Sequence, residues 1–152
     1  MANTQSMCTS FMRELLTATH DFTPSTGDTF KAALYDTTAT YNASTTAYSS
    51  SGEVSGTGYT PGGVAVTNGV APASTNSSAT AGVAYWTPSA SITYTTVTLT
   101  TAFDAVLIYN STKSNKAVSV HTFGSQTVTA GTFTLTMPTN NTTNALLRLA
   151  TT

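Results

Sequence analysis

From Asp28 onward, apolar residues recur mostly at every second position, and this period constrains the fold more than any other feature. In "TFKAALYD", Phe30, Ala32 and Leu34 alternate with Lys31, Ala33 and Tyr35, the pattern of a half-buried strand. "VAVTNGV", "VAYW", "KAVSVHTFG", "QTVTA", "GTFTLTMP" and "NALLRLA" add short extended runs, and "TTAYSSSGEV" a weaker one around Tyr48. "AVLIYN" is continuously apolar, as a central strand buried on both faces requires. In "ASITYTTVTLTT" the parity slips between Tyr94 and Val97, and one extra residue near Thr95 and Thr96, a β-bulge, restores it. The runs flanking Ala130 and Gly131 resemble a hairpin. Composition agrees with sheet: 36 Thr and 17 Ser stand among 152 residues, and β-branched Thr suits a pleated surface. The fold expected is all-β, an antiparallel β-sandwich or barrel of about eight to ten short strands. Phe30, Leu34, Val106, Ile108, Phe133 and Leu135 are its expected core.

One helix precedes the strands. In "TSFMRELLTATHDF", Ser10 is placed to cap the N-terminus, and Phe11, Met12, Leu15, Leu16 and Thr19 follow helical spacing. Glu14 follows Arg13 on the polar side, and Pro24 and Gly27 end regular structure. A helix of roughly nine residues is marginal alone, so its apolar face must pack on something. Residues 1–27 therefore read as an N-terminal helix and arm, and residues 28–152 as a single β domain. Phe11, Met12, Leu15 and Leu16 are partner-contact candidates, with Phe11 and Leu15 as main anchors; the alternative is a helix that lids its own domain.

Charge excludes several functions. Charged residues make up 7% of the chain, and the net charge is −1. The five basic residues, Arg13, Lys31, Lys113, Lys116 and Arg148, are scattered, whereas nucleic-acid binding takes a cluster of cations. A surface of hydroxyls lacks the repulsion that keeps proteins apart, and suits a crowded permanent assembly. Cys8 is the only cysteine, so no intrachain disulfide forms. "MANTQSMCTSFMRELL" shows no basic leader and no long apolar core, so no signal peptide is expected, and no apolar run is long enough for a membrane span. The expected location is the cytosol, unless the chain leaves in a particle.

"GEVSGTGYTPGG" packs five glycines into twelve residues and suggests a phosphate cradle. A P-loop needs G-x-x-x-x-G-K-[ST], but no Lys or Arg lies between Lys31 and Lys113. Gly56, Gly58 and Gly62 miss the dinucleotide spacing by one, and the following "VAVTNGV" reads as strand, so no helix dipole meets a phosphate. The glycines are expected to turn the chain, with Pro61-Gly62 in a type II turn. "APASTNSSATAG" reads as an exposed polar loop.

No catalytic or metal constellation stands out. Cys8, His20 and His121 lack ligand spacing, and His20 sits where a cation favours a helix C-terminus. His121 is out of step with Val118 and Val120 and is expected to face solvent. The six carboxylates, Glu14, Asp21, Asp28, Asp36, Glu53 and Asp104, form no recognisable pair; Glu53 is expected to accept backbone N–H groups in the glycine loop. No enzyme, cofactor, metal or small-molecule substrate is expected. The sequons at Asn42, Asn76, Asn110, Asn140 and Asn141 follow from the abundance of Ser and Thr.

"CTSFMRELLTATHDF", "DTFKAALYDTTATY", "TTAYSSSGEVSGTGYTPGG", "AYWTPSASITYT", "AVLIYNSTKSNKAVSVHTFG" and "GTFTLTMP" resemble, in order, a family of small virion structural proteins of tailed bacteriophages. "TFKAALY", "GEVSGTGY" and "IYNST" followed by "NKAV" are the most specific, and the likeness loosens over "VTNGVAPASTNSSATAG". The resemblance implies a β-rich subunit present in many copies, assembled in the host cytoplasm, with no catalytic residues to carry over. The expected role is a capsid cement or decoration protein, oligomeric, bound to the major capsid protein or neighbouring virion subunits. A neck or tail component is the nearest alternative. A carbohydrate-binding host-attachment module is another, because Tyr35, Tyr41, Tyr48, Tyr59 and Trp86 are candidate stacking faces.

Overall fold

A computed structural model describes residues 2–75 and 82–151. In chain order these form β1 (Ser6–Met7), α1 (Thr9–Leu16), β2 (Phe30–Asp36), β3 (Val64–Ala65), β4 (Ala73–Ser74), β5 (Val83–Trp86), β6 (Ile92–Asn110), β7 (Lys116–Leu135) and β8 (Leu147–Ala150). The fold is all-β with one short helix. Its larger antiparallel sheet runs β1-β7-β6-β2-β3 and its smaller one β4-β5-β8. Each sheet ends on edge strands, and neither closes into a barrel among the described residues.

The strands are not uniformly short. "ASITYTTVTLTT" and "AVLIYN" lie on one strand of 19 residues, β6, and "KAVSVHTFG", "QTVTA" and the first part of "GTFTLTMP" lie on one of 20, β7. The hairpin joining them turns at residues 111–115, where Ser114 and Asn115 take positive φ. Ala130-Gly131 is not a turn: Ala130 (φ 45°) is a left-handed residue inside β7. A bulge and a turn leave the same small-residue mark in sequence, which explains the misreading. The bulge expected near Thr96 is present. Thr96 has φ 53°, and the register jumps from Tyr94 opposite Phe133 to Val97 opposite Gly131.

β2 lies between β6 and β3, with Leu34 opposite Val106 and Ala32 opposite Ile108. It is buried on both faces, not half-buried, since Ala33 and Tyr35 are as enclosed as Phe30 and Leu34. The chain beyond β2 folds back over it: the Tyr41 ring lies 3.7 Å from that of Tyr35, and Tyr35 Oη donates to Ser49 O at 2.7 Å. "AVLIYN" is buried throughout, as expected of a central segment. Phe133 and Leu135 are only half-buried, because β6 and β7 run on past the end of β2 as a two-stranded ribbon.

Other segments are less regular than their patterns suggest. The stretch around Tyr48 makes only isolated bridges, Ala47 opposite Lys116 and Glu53 opposite Tyr35, and "VAVTNGV" contributes only Val64–Ala65. The polar loop expected at 71–82 contains the strand β4; its residues 76–81 lie outside the described residues.

The N-terminal segment belongs to the same core and is not a separate arm. β1 pairs with β7, Ser6 opposite Val120. Asn3 Nδ2 donates to Asp36 O and Asp104 Oδ1, and its Oδ1 accepts the Tyr41 N–H. Phe22 then stacks on Phe30 at 4.4 Å and meets Trp86 at 4.7 Å, which ties the smaller sheet to the core. Among the described residues, no helix is long and apolar enough to cross a membrane.

Candidate functional site

The helix seat is the most heavily built polar feature. Cys8 N–H bonds Val118 O at 3.0 Å and Thr9 N–H bonds Ala43 O at 2.8 Å, fixing where α1 starts. Cys8, not Ser10, occupies the cap position and makes no side-chain cap; Ser10 Oγ donates to Thr45 O. Glu14, expected on the polar side, is 4% exposed and points inward. Lys116 Nζ reaches its Oε1, and His20 Nε2 its Oε2 at 2.8 Å. On the far side of the imidazole, Asn110 Nδ2 lies 3.0 Å from His20 Nδ1 and also donates to Asp28 Oδ2 at 2.7 Å. Asp28 accepts the Asp21 N–H at 2.9 Å and pairs with Lys113 at 3.5 Å.

The Asn110 amide sets the protons of this chain. Its Oδ1 accepts the N–H groups of Thr112 and Lys113, both at 3.1 Å, so its Nδ2 must face His20 and Asp28. His20 Nδ1 is then an acceptor, and the ring proton sits on Nε2, donated to Glu14. His20 is thus a buried link in a network, not an exposed cation at a helix end. Burial pushes the Glu14 carboxyl up, but the hydrogen bonds from Lys116 and His20 and the charge of Lys116 outweigh it and hold it below the usual range.

The four partner-contact candidates divide. Phe11 is 1% exposed, with its ring 4.9 Å from His20 and 6.0 Å from Phe22, so as a main anchor it is spent on its own domain. Leu15 is half-buried against the same core. Met12 and Leu16, 43% and 89% exposed, form the outward side. Phe11 and Leu15 also line an open groove of about 280 Å³ whose opposite wall is Ala84, Trp86, Leu147 and Leu149.

The glycine loop protects an edge. Gly58 (φ 78°) and Gly62 (φ 88°) need the left-handed region, and Gly63 N–H bonds Thr60 O at 2.9 Å, as a type II turn with Gly62 at its third position requires. A Cβ on Gly56 would overlap Thr98 O, and one on Gly58 would overlap Thr96 O. The loop lies directly on the outer edge of β6, with Thr57 bridged to Thr98. Glu53 fixes it there, accepting Tyr48 Oη (2.6 Å), Tyr59 Oη (2.7 Å) and Gly62 N–H (2.8 Å). Burial and then the Glu53 carboxylate push both phenols up, so they remain donors.

The remaining candidates are enclosed. Burial and the Glu14 charge push the Cys8 thiol up to about 12, far from a reactive thiolate. His121 is half-buried, not solvent-facing; its Nε2 lies 2.9 Å from Ser119 Oγ, and desolvation lowers its pKa to about 4. Tyr35, Tyr41, Tyr59 and Trp86 are core residues and Tyr48 is half-buried, so these rings present no open stacking platform. No group of three or more His, Cys, Asp or Glu placed to hold a metal occurs among the described residues. Sequence reading missed the network of Glu14, His20, Asn110 and Asp28. Its one local signal is Asn110 at the start of the "NSTKSN" turn, a position where Asn commonly accepts backbone N–H groups. No family model, curated protein or solved structure matches the chain.

Proposed function

We propose that the chain is a structural subunit of a tailed-bacteriophage virion, a cement or decoration protein that stabilises the head shell through protein contacts. One observation carries the structural role: all six carboxylates accept hydrogen bonds that hold the fold. Glu14, Asp28 and Glu53 are bound as described, Asp104 holds Asn3, and Asp21 and Asp36 accept the N–H groups of Thr23 and Thr38. Acid–base chemistry needs a carboxyl free to exchange its proton with a substrate. A chain that commits each of its few acids to internal bonds retains hydroxyls and short apolar side chains for its surface. Such a surface supports static packing. The resemblance to small virion structural proteins supplies the setting.

Counting copies in purified particles by quantitative mass spectrometry tests this. Abundance approaching that of the major capsid protein supports the cement role, a tens-fold lower count moves the subunit to the neck or tail, and absence from particles sinks the reading.

A further inference from the structure

The ribbon formed by β6 and β7 has two edges, treated differently. The β6 edge is covered by the glycine loop, which lies against Thr96 and Thr98 so closely that side chains are excluded at Gly56 and Gly58. On its outer side β7 pairs with β1 at Ser119 and Val120 and bridges Ala47 at Lys116. Beyond Val120, no strand pairs with that side of β7 among the described residues. Gly124, Ser125, Gln126, Thr127, Thr129 and Ala130 are exposed there, and the space around Gly124 is empty. Edge strands expose unpaired N–H and C=O groups, and proteins commonly blunt them with charges, especially Lys, with Pro, or with a cover. Residues 122–135 contain no charged residue and no Pro. The run is irregular at two places: at the left-handed Ala130, and between Thr122 and Gln126, where β7 carries two extra residues against β6; residues 126–129 lie between them.

We propose that this edge is a docking site for a second copy of the same chain, the two β7 strands pairing antiparallel across a two-fold axis near Thr127. A two-fold contact places a segment against itself, so any charge on it would meet its like. This segment carries none, and its Ser, Thr and Gln side chains both donate and accept hydrogen bonds, which makes it self-complementary. An edge of this length spans at most roughly 45 Å at the usual rise per residue, and the two irregularities shorten it. Pairing along it buries on the order of 1,000 Å² in total, the lower limit of specific interfaces, so the dimer is weak and concentration-dependent. The inference goes beyond the virion reading and stands on the edge alone.

Sedimentation equilibrium of the full chain tests it. The wild type should rise from 15.7 kDa toward twice that mass as concentration approaches about 100 µM. Ser125→Lys combined with Thr127→Lys, both at exposed positions, should stay monomeric with an unchanged far-UV spectrum. Hydrogen exchange on the wild type gives a readout that no substitution disturbs: amides within 122–135 should slow at high concentration. A wild type that remains monomeric, a dimer that survives the double substitution, or concentration-dependent protection confined to α1 each overturns the proposal. Loss of the dimer in Leu16→Lys but not in the double Lys variant would place the interface on the helix and overturn it equally.

Discussion

His20 and Asn110, 90 positions apart, fix each other: the Asn110 amide, turned by two backbone N–H groups, leaves His20 Nδ1 only the role of acceptor. The imidazole must then hand its proton to Glu14, and the helix is tied to the β6–β7 turn through one side chain.

Asn110→Ala should therefore cost more than a single hydrogen bond. It removes the donor to His20 and Asp28 together with the acceptor of the turn, leaving buried polar groups unpaired. A loss of roughly 2–4 kcal/mol is expected in urea unfolding. A loss below about 1 kcal/mol would mean that water replaces the amide and that the network does not secure the turn.

Gly58→Ala should destabilise the chain by about 2 kcal/mol or more, since positive φ and overlap with Thr96 O act together. Gly124→Ala is the control: nothing surrounds that position, so stability should stay within about 0.5 kcal/mol. Equal effects at both sites would remove the edge-cover account of the loop.

Period and apolar continuity are local properties, and they made the β class, the central "AVLIYN" segment and the bulge at Thr96 legible in sequence. Strand length was hidden because Thr-rich strand and Thr-rich turn look alike where polar residues are exposed in both. The helix face was half legible: Phe11 and Leu16 share an apolar pattern, but only the position of β7 decides which of them is covered. The network around His20 was hidden for a stronger reason. Its members come from four separated segments, and no spacing rule connects Glu14 to Asn110. The acceptor role of Glu53 was legible because it is exercised in part within its own glycine-rich loop.

Acid should weaken the fold in two stages. The His121 pKa falls from an ordinary 6.5 to about 4 on folding, so the unfolded chain takes up the proton first. Stability is complete above about pH 6.5 and declines as pH falls toward 4, by roughly 1–3 kcal/mol. Glu14, held below its ordinary value of 4.5, adds stability above that pH that is lost as pH falls further. Urea midpoints between pH 7.5 and 3.5 should follow this course, and His121→Asn should flatten the upper stage. A midpoint that is level from pH 7 to 4.5 would contradict the burial of that ring.

The helix carries the most direct test of which surface faces a partner. Phe11→Ala empties a site in the core and should cost about 3–5 kcal/mol, so deletion of the segment before Phe22 should unfold the chain and say nothing about attachment. Leu16 is 89% exposed, and Leu16→Ser should leave stability within about 0.5 kcal/mol. That makes it the usable probe of the outer side of α1, with Met12→Ser as its neighbour on the same surface. If the helix contacts a virion partner, the folded double variant should be under-represented in particles by tenfold or more, since two apolar anchors contribute roughly 1.5–3 kcal/mol each when buried. Wild-type incorporation of the double variant would leave α1 as a lid on its own domain and direct the search for the attachment surface elsewhere.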